Sequence, residues 1–390
     1  MLALRLTRGS HPLVLLRRLF VAAAAAGTGF LLLSTVGYAA GHPATADESL
    51  VRLLWCAAPL AATTQFAVST ARTDPAARLQ RGMTAAGMGP LRLTLLATAS
   101  TALTCFLGVL LALFAFLRLR GDLGGPGAAS ALGVDTDLLG SGHPLPLAGA
   151  LMLLALVPLT AGAATAVVLR PRDETGIPDF EARHRTAPPS GLPWGIALAA
   201  AGLAIEAYTS SGSQGHGGLL PLPGRLVGSP PGALAGWALS AFGLVLAGPG
   251  LVHLCGRLLC AGRPGALRLL SGRVLQEESH RLGRPLGVLC AVASAVYAAV
   301  KVYESAPSRP FGPLTAIGAA VVLACVTASA LTAAFESRSA RARTTAALRR
   351  LGASASVLHR AAALRLLTLV IVLAPLTWTV AEMVTLPLVR

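Results

Sequence analysis

Long apolar runs alternate with short polar segments along almost the whole chain. The runs cover residues 19–40, 53–70, 93–117, 147–169, 192–209, 233–255, 285–303, 313–335 and 364 to the C-terminus. An α-helix needs about 20 apolar residues to cross the roughly 30 Å hydrocarbon layer of a bilayer, and these runs approach or exceed that length. The pattern therefore predicts an all-α polytopic membrane protein with about nine or ten transmembrane helices.

The overall composition agrees with a membrane protein and argues against a nucleic-acid-binding one. Apolar residues make up 54% of the chain and charged residues only 12%, whereas a soluble domain carries about 25% charged residues. The net charge of +16 could suggest a nucleic-acid partner. The basic residues lie at the ends of the apolar runs, however, and Lys301 is the single lysine. Membrane topology explains this distribution better.

The distribution of arginine predicts the orientation. If the N-terminus is cytoplasmic and the first run is retained rather than cleaved as a signal peptide, 25 of the 32 Lys and Arg residues fall in cytoplasmic segments and 7 outside. Positive charge is enriched in cytoplasmic loops of membrane proteins. We therefore expect a multi-pass protein of the cell (inner or cytoplasmic) membrane with its N-terminus in the cytoplasm.

Residues 338–360 are too charged to cross a bilayer, yet they lie between two apolar runs. Helical spacing (i, i+3, i+4, i+7) places four of them on one face: Thr344, Ala347, Leu348 and Leu351. Arg349 and Arg350 lie largely off that face, and Gly352 stands where a glycine often ends a helix. The segment is predicted to be either a basic loop that fixes topology and binds lipid headgroups or an amphipathic helix that docks a soluble cytoplasmic partner.

A similar segment occurs earlier in the chain, which favours docking. Residues 72–94 repeat the spacing before a glycine, here with Leu79, Gly82, Met83 and Ala86 before Gly87. Arg78 then matches Arg343. A second echo, Ala3–Leu6 against Ala266–Leu269, has nearly the same offset. The repeats suggest a duplicated unit, although an Ala- and Leu-rich chain also produces such matches by chance.

These repeats suggest a division of the chain into two related units. The first unit would cover residues 1–170 with four spans, and a polar cytoplasmic linker would follow at 171–190. A spacer hairpin of two spans would cover 191–256. The second unit would cover 257–390 with three spans, one fewer than the first.

The sequence carries little that predicts catalysis. A P-loop needs a lysine after a glycine-rich turn, and Lys301 has no such turn; the HExxH and GxSxG patterns are also absent. We therefore expect no enzyme activity and no catalytic, cofactor-binding or metal-binding residues in this chain. Glu206 and Glu382 lie late in their apolar runs. They are either interfacial or protonated residues or part of a substrate path.

The stretch from Arg343 to Ser354, Arg-Thr-Thr-Ala-Ala-Leu-Arg-Arg-Leu-Gly-Ala-Ser, resembles the signature of FtsX-like (MacB-type) ABC transporter permeases. In that family a basic helix ending in Leu-Arg-x-Leu-Gly-Ala joins two spans. Residues 80–89 look like a weaker second copy, and the ten-span layout of some members is similar to this chain. Thr344 or Thr345 replaces an acidic residue common in the family. No outside loop exceeds about thirty residues, so the large external domain of many members is missing.

The resemblance implies a permease subunit that couples a separate cytoplasmic ATPase to export or extraction of a substrate. ATP-Mg would be bound by that partner, and the permease would act as a homodimer or heterodimer in contact with membrane lipids. The residues implied to dock the ATPase are Arg343, Leu348, Arg349, Arg350, Leu351 and Gly352, with Arg78, Met83 and Gly87 in the earlier copy. The alternatives are a membrane scaffold or sensor that docks a cytoplasmic protein without transport, and an intramembrane enzyme. Lipid, drug and peptide substrates all remain open.

Overall fold

The computed structural model describes residues 12–42, 46–73, 90–122, 146–170, 191–212, 220–222, 226–229, 231–305 and 313–389. These residues form ten helices and one two-stranded antiparallel hairpin. In chain order the elements are α1 (Pro12–Gly41), α2 (Ala46–Thr73), α3 (Pro90–Arg120), α4 (Leu147–Leu169), α5 (Gly191–Gly212), β1 (Leu220–Leu222), β2 (Leu226–Ser229), α6 (Pro231–Cys260), α7 (Ala266–Ser305), α8 (Pro313–Ala340), α9 (Ala342–Arg350) and α10 (Ala355–Val389). The small hairpin lies in the Gly- and Pro-rich connection between α5 and α6.

The helices confirm the predicted all-α polytopic membrane fold. Each of the nine apolar runs lies within a helix, and in the described residues eight helices are long and apolar enough to span a membrane. The ninth, α2, is long enough but carries polar residues such as Thr63, Gln65 and Thr70 within its apolar run. Which membrane the protein occupies, and on which side its N-terminus lies, stay predictions.

Contacts divide the chain into two compact units. Unit 1 comprises residues 1–173 and 311–329, and unit 2 comprises 174–310 and 330–390. The division therefore falls inside α8, and it differs from the boundaries predicted from the repeats. The predicted duplication is a statement about sequence ancestry and stays a prediction.

Unit 1 is built around buried contacts between α1 and its neighbours α2 and α3. A Cβ atom at Gly108 of α3 would overlap the backbone carbonyl of Ala22, so only glycine permits this close approach. The hydroxyls of Thr28 and Thr63, both fully buried, lie 2.8 Å apart and join α1 to α2. Small residues and hydroxyl contacts of this kind hold helices together in a bilayer, where apolar burial alone gives little preference for protein over lipid.

In unit 2, α6 packs tightly between α5 and α7. A Cβ atom at Gly243 of α6 would come within 2.5 Å of the Ala199 nitrogen of α5. A Cβ atom at Gly283 of α7 would overlap the backbone of Pro249 in α6. The backbones of all three helices are thus in direct contact, and α10 packs against the same group. Further along, α7 joins α6 and α10 in an apolar cluster that includes Leu275, Cys290 and Leu369.

Candidate functional site

The predicted docking segment forms α9, a nine-residue helix between α8 and α10. Arg341 alone separates α8 from α9, with backbone angles φ −84° and ψ −6°. Its own N–H bonds to the Ser337 carbonyl, and its carbonyl accepts from the Thr345 N–H. The helical hydrogen bonding therefore passes almost unbroken from α8 into α9. The helix therefore covers only residues 342–350 of the charged stretch 338–360.

Gly352 ends α9 in the left-handed conformation, as its position in the sequence predicts. Its φ is +92°. The Gly352 N–H donates to the Arg349 carbonyl at 3.1 Å, and the Ala353 N–H donates to the Leu348 carbonyl at 3.0 Å. This pair of bonds is the Schellman arrangement, which satisfies carbonyls that a helix end otherwise leaves open. The stop is thus encoded locally by one glycine.

Most of the described side chains of α9 are exposed. Leu351 has 84% of its surface exposed, and it lies outside the two neighbouring candidate spans. Arg349 and Arg350 are exposed beside it, and Leu348 is half-buried. Arg343 lies within α9, but its side chain is outside the described part of the structure. The predicted apolar face is therefore not buried by the described residues of this chain, and its C-terminal end offers one apolar and two cationic side chains.

The N-terminal side of α9 is tied to α7 by an ion pair. Arg341 Nε lies 2.7 Å from Glu278 Oε1. The same guanidinium also donates to the carbonyl and the hydroxyl of Ser337, both at 3.1 Å. Glu278 is only 9% exposed, so this carboxylate has lost most of its contact with water. The ion pair therefore fixes the point where α8 passes into α9.

Glu278 belongs to the charged first half of α7. This helix has 40 residues and is about 60 Å long, twice the roughly 30 Å thickness of the hydrocarbon layer. The charged residues of its first half are Arg268, Arg273, Glu277, Glu278, Arg281 and Arg284. We therefore place this half outside the hydrocarbon layer. There, burial raises the pKa of Glu278 to about 7, although the nearby Arg341 and Arg281 act in the opposite direction.

A second contact joins α7 to the early part of α10, the helix that follows α9. The Ser271 hydroxyl of α7 bonds to the Ala361 carbonyl of α10 at 3.1 Å, and also to the Leu267 carbonyl of its own helix at 2.7 Å. Ser271 and Ala361 are both almost fully buried. The segment from Arg341 to Ala361, which contains α9, thus contacts one helix at both ends.

The two acidic residues predicted within apolar runs occupy different surroundings in unit 2. Glu206 of α5 is 2% exposed and lies against Gly236 of α6. Glu382 of α10 accepts a hydrogen bond from the Tyr297 hydroxyl at 2.6 Å. Trp378 Nε1 donates in turn to that hydroxyl at 3.3 Å. Glu382 therefore helps to join α10 to α7, and a substrate path through either residue stays a prediction.

The earlier copy of the docking motif cannot be compared in three dimensions. Arg78, Met83 and Gly87 fall between α2 and α3, outside the described residues. The structure therefore describes the later copy only. Around that copy, Glu278 and Ser271 of α7 make contacts that the motif does not indicate. The available signal was the acidic pair Glu277–Glu278 within an otherwise basic segment, which marks a counter-charge for a nearby arginine.

Possible metal ligands and cysteines are dispersed in the described part of the chain. No three His, Cys, Asp or Glu side chains there approach each other as metal ligands would. The cysteines are reduced and, apart from the half-buried Cys260, lie buried as small apolar residues. The functional assignment depends on the geometry of α9 and its contacts, because comparisons with protein-family models, with curated proteins and with solved structures give no match for this chain.

Proposed function

We propose that this chain is the transmembrane permease subunit of an ABC-type transporter or mechanotransmission complex, and that α9 docks a separate cytoplasmic ATPase. The observation that carries the proposal is the exposed end of α9, where Leu351 is uncovered beside Arg349 and Arg350, between two candidate spans. The resemblance of residues 343–354 to FtsX-like permeases supports the same function. The bias of arginine towards segments on the same side supports a cytoplasmic location for α9.

The exposed side chains suggest what the partner surface must offer. Burying a leucine side chain gives about 1.5 to 3 kcal/mol, so Leu351 favours an apolar pocket. Arginine pairs with carboxylates through two parallel hydrogen bonds, so Arg349 and Arg350 favour acidic residues at the rim of that pocket. A lipid surface would attract the two arginines equally well, but it provides no fixed pocket for a single leucine at a helix end.

In this proposal the two proteins divide the work. The partner binds and hydrolyses ATP-Mg, and this chain converts the movement of the docked α9 into movement of its spans. Export or extraction of a substrate follows from that movement. The permease would work as a homodimer or heterodimer in the cell membrane.

Site-specific photo-crosslinking tests the proposal directly. A photoreactive amino acid is placed at Leu351 of the full chain in cells, and the adduct is identified by mass spectrometry. Leu366 of α10 is the matched control, because it is also an exposed leucine (58%) but lies within a candidate span. We expect Leu351, and not Leu366, to capture a protein with a P-loop, and the purified pair in lipid nanodiscs to hydrolyse ATP faster than the captured protein alone.

The other outcomes separate the remaining interpretations. Capture of a protein without a nucleotide-binding motif would replace the permease with a scaffold or sensor. Capture of lipid alone at Leu351 would show that the segment is a headgroup-binding loop, and the proposal would be wrong.

A further inference from the structure

We propose that the first half of α7 receives the movement of α9 and transmits it to the spanning helices, through one contact directly before α9 and a second in the early part of α10. This inference rests on the proposed docking of an ATPase by α9. The contact before α9 is the ion pair between Arg341 and Glu278, and the contact after it is the hydrogen bond between Ser271 and Ala361. The role assigned to Glu278 is to position α9, and it needs no contact with the partner.

The two contact points lie on one face of α7. Ser271 and Glu278 are seven residues apart, which is close to two helical turns and about 10.5 Å along the axis. Leu275 lies between them on the same face, is 1% exposed and packs in a cluster with Leu369 and Leu373 of α10. The nine residues of α9 extend over about 13.5 Å. The two contacts on α7 are thus separated by a distance similar to the length of α9, although the chain between Arg341 and Ala361 also includes the turn at Gly352 and the start of α10.

The ion pair is placed where the chain can change direction. Arg341 is the single residue between α8 and α9, and its guanidinium is held by Ser337 as well as by Glu278. A buried carboxylate that loses its cation pays a large desolvation penalty, so the pair resists separation. A displacement of α9 is therefore expected to move Glu278, and with it α7, before the ion pair with Arg341 separates.

The same helix leads from these contacts into the membrane. Beyond Pro285, α7 continues without interruption to Ser305. Its Gly283 and Gly287 lie against the backbone of α6, where a Cβ atom at Gly287 would come within 2.8 Å of the Leu244 carbonyl oxygen. Displacement of the first half of α7 would therefore carry α6 with it. By this route the docked ATPase would act on two spanning helices that α9 itself does not adjoin in sequence.

A charge-reversal cycle tests the inference with two independent measurements on the full chain in nanodiscs. The variants are Glu278→Arg, Arg341→Glu and the double variant. Glu277→Arg is the control, because it makes the same charge change on the exposed neighbouring residue. The first measurement is hydrogen–deuterium exchange of the amides of residues 344–351 without any partner. The second is stimulation of the partner's ATP hydrolysis.

We expect each single reversal to speed exchange in α9 about tenfold, as local opening becomes easier, and to reduce the stimulation several-fold. The double variant should restore most of both, and Glu277→Arg should change neither. Unchanged exchange in the single variants would show that the ion pair does not hold α9. Faster exchange with full stimulation would leave the docking intact and overturn the transmission. If the unmodified chain stimulates no ATPase, the proposed function fails, and this inference falls with it whatever the exchange shows.

Discussion

The two halves of α7 meet their neighbours in unit 2 through different kinds of polar contact. In the first half, Glu278 lies 2.7 Å from the guanidinium of Arg341, and because burial raises the pKa of this carboxyl to about 7, it is fully charged only above that pH. In the second half, Tyr297 offers a neutral hydroxyl to Glu382 at 2.6 Å, and the indole of Trp378 donates to that hydroxyl. Besides the neutral hydroxyl of Ser271, the first half of α7 thus uses an ionic contact, whereas the second half uses a network that begins with neutral donors.

The difference follows from the surroundings of each end and points to different roles. Ion pairs are best tolerated where water can still reach part of the pair, as it does for the Arg341 side chain, which is 25% exposed. Tyrosine and tryptophan favour the membrane interface, where an apolar ring and a polar tip are both satisfied. The Arg341 end leads directly to the exposed Leu351, whereas the Tyr297 end joins α7 to α10. We infer that the first end faces a partner and the second end holds the bundle together.

The largest effect is expected when the charge of the exposed end is reversed. Arg349→Glu combined with Arg350→Glu should abolish association with the ATPase, because carboxylates on the partner would then be repelled. Neither arginine is buried, so the amount of protein in the membrane should not change. Co-purification with the partner and stimulation of its ATP hydrolysis measure the effect. Retention of full association would show that the docking surface lies elsewhere.

A charge reversal in the earlier copy of the motif can be compared with the reversal of Arg349 and Arg350. Arg78→Glu should weaken association less than the double reversal, because residues 78–87 keep fewer features of the motif than residues 343–352. Equal losses from the two changes would mean that both copies dock the ATPase equally, contrary to the asymmetry predicted from the sequence.

A smaller effect on stimulation of the ATPase is expected from substitutions of Gly352, because only the backbone conformation opposes a side chain there. No atom lies within 4 Å of the place where a Cβ would be added, so a side chain meets no obstacle. The φ of +92° is nevertheless unfavourable for any L-residue, by about 1 to 2 kcal/mol. Gly352→Val should therefore impair stimulation of the ATPase more than Gly352→Ala, since a β-branched residue is more restricted. Both variants should reach the membrane at normal levels. A fully active Gly352→Val would show that the left-handed stop is dispensable.

The sequence predicts the helices well because each one depends on local information. Runs of about 20 apolar residues are sufficient to locate spanning helices, and a glycine is sufficient to end α9. The continuity of α7 was less predictable, since Pro285 lies inside it and proline usually interrupts a helix. The polar residues of α2 depend on tertiary packing as well, since the Thr63 hydroxyl lies against that of Thr28 on α1.

The contacts around α9 could not be predicted in the same way. Ser271 and Ala361 are separated by 90 residues, and their meeting depends on how α7 and α10 pack. Glu278 and Arg341 both lie in segments with several charged residues, so the sequence allows many pairings. The pairing depends on the apolar cluster shared by α6, α7 and α10, which includes Leu275, Leu369 and Leu373 and holds one face of α7 towards the start of α10.

The stabilities of the two polar contacts should differ in a measurable way. Arg341→Met leaves the buried carboxylate of Glu278 without its cation and should cost about 2 to 3 kcal/mol, allowing for the partial exposure of the pair. Tyr297→Phe removes one hydrogen bond from the half-buried Glu382 and should cost about 1 kcal/mol. Thermal unfolding of the full chain in nanodiscs measures both. A larger loss of melting temperature in Tyr297→Phe would reverse the assignment of the two ends.

A further effect concerns pH and distinguishes the two ends by the titration of Glu278. Burial raises the pKa of Glu278 from 4.5 to about 7, against the opposing charges of Arg341 and Arg281 and with the help of Glu277. The folded state therefore holds this proton more tightly than the unfolded chain does. Its contribution to folding is complete below about pH 4.5 and is lost as the pH rises through about 7.

Glu278→Gln removes this titration while keeping the size of the side chain. Between about pH 5 and pH 8 the melting temperature of the unmodified chain should therefore fall more steeply than that of the variant, by a few degrees at most in a chain of this size. Tyr297→Phe does not touch this carboxylate, so its pH profile should run parallel to that of the unmodified chain. Because other carboxylates titrate in both proteins, the difference between the two profiles is the informative quantity. Parallel profiles for Glu278→Gln and the unmodified chain would mean that Glu278 ionises normally, because the charges of Arg341 and Arg281 then offset the effect of burial on its pKa.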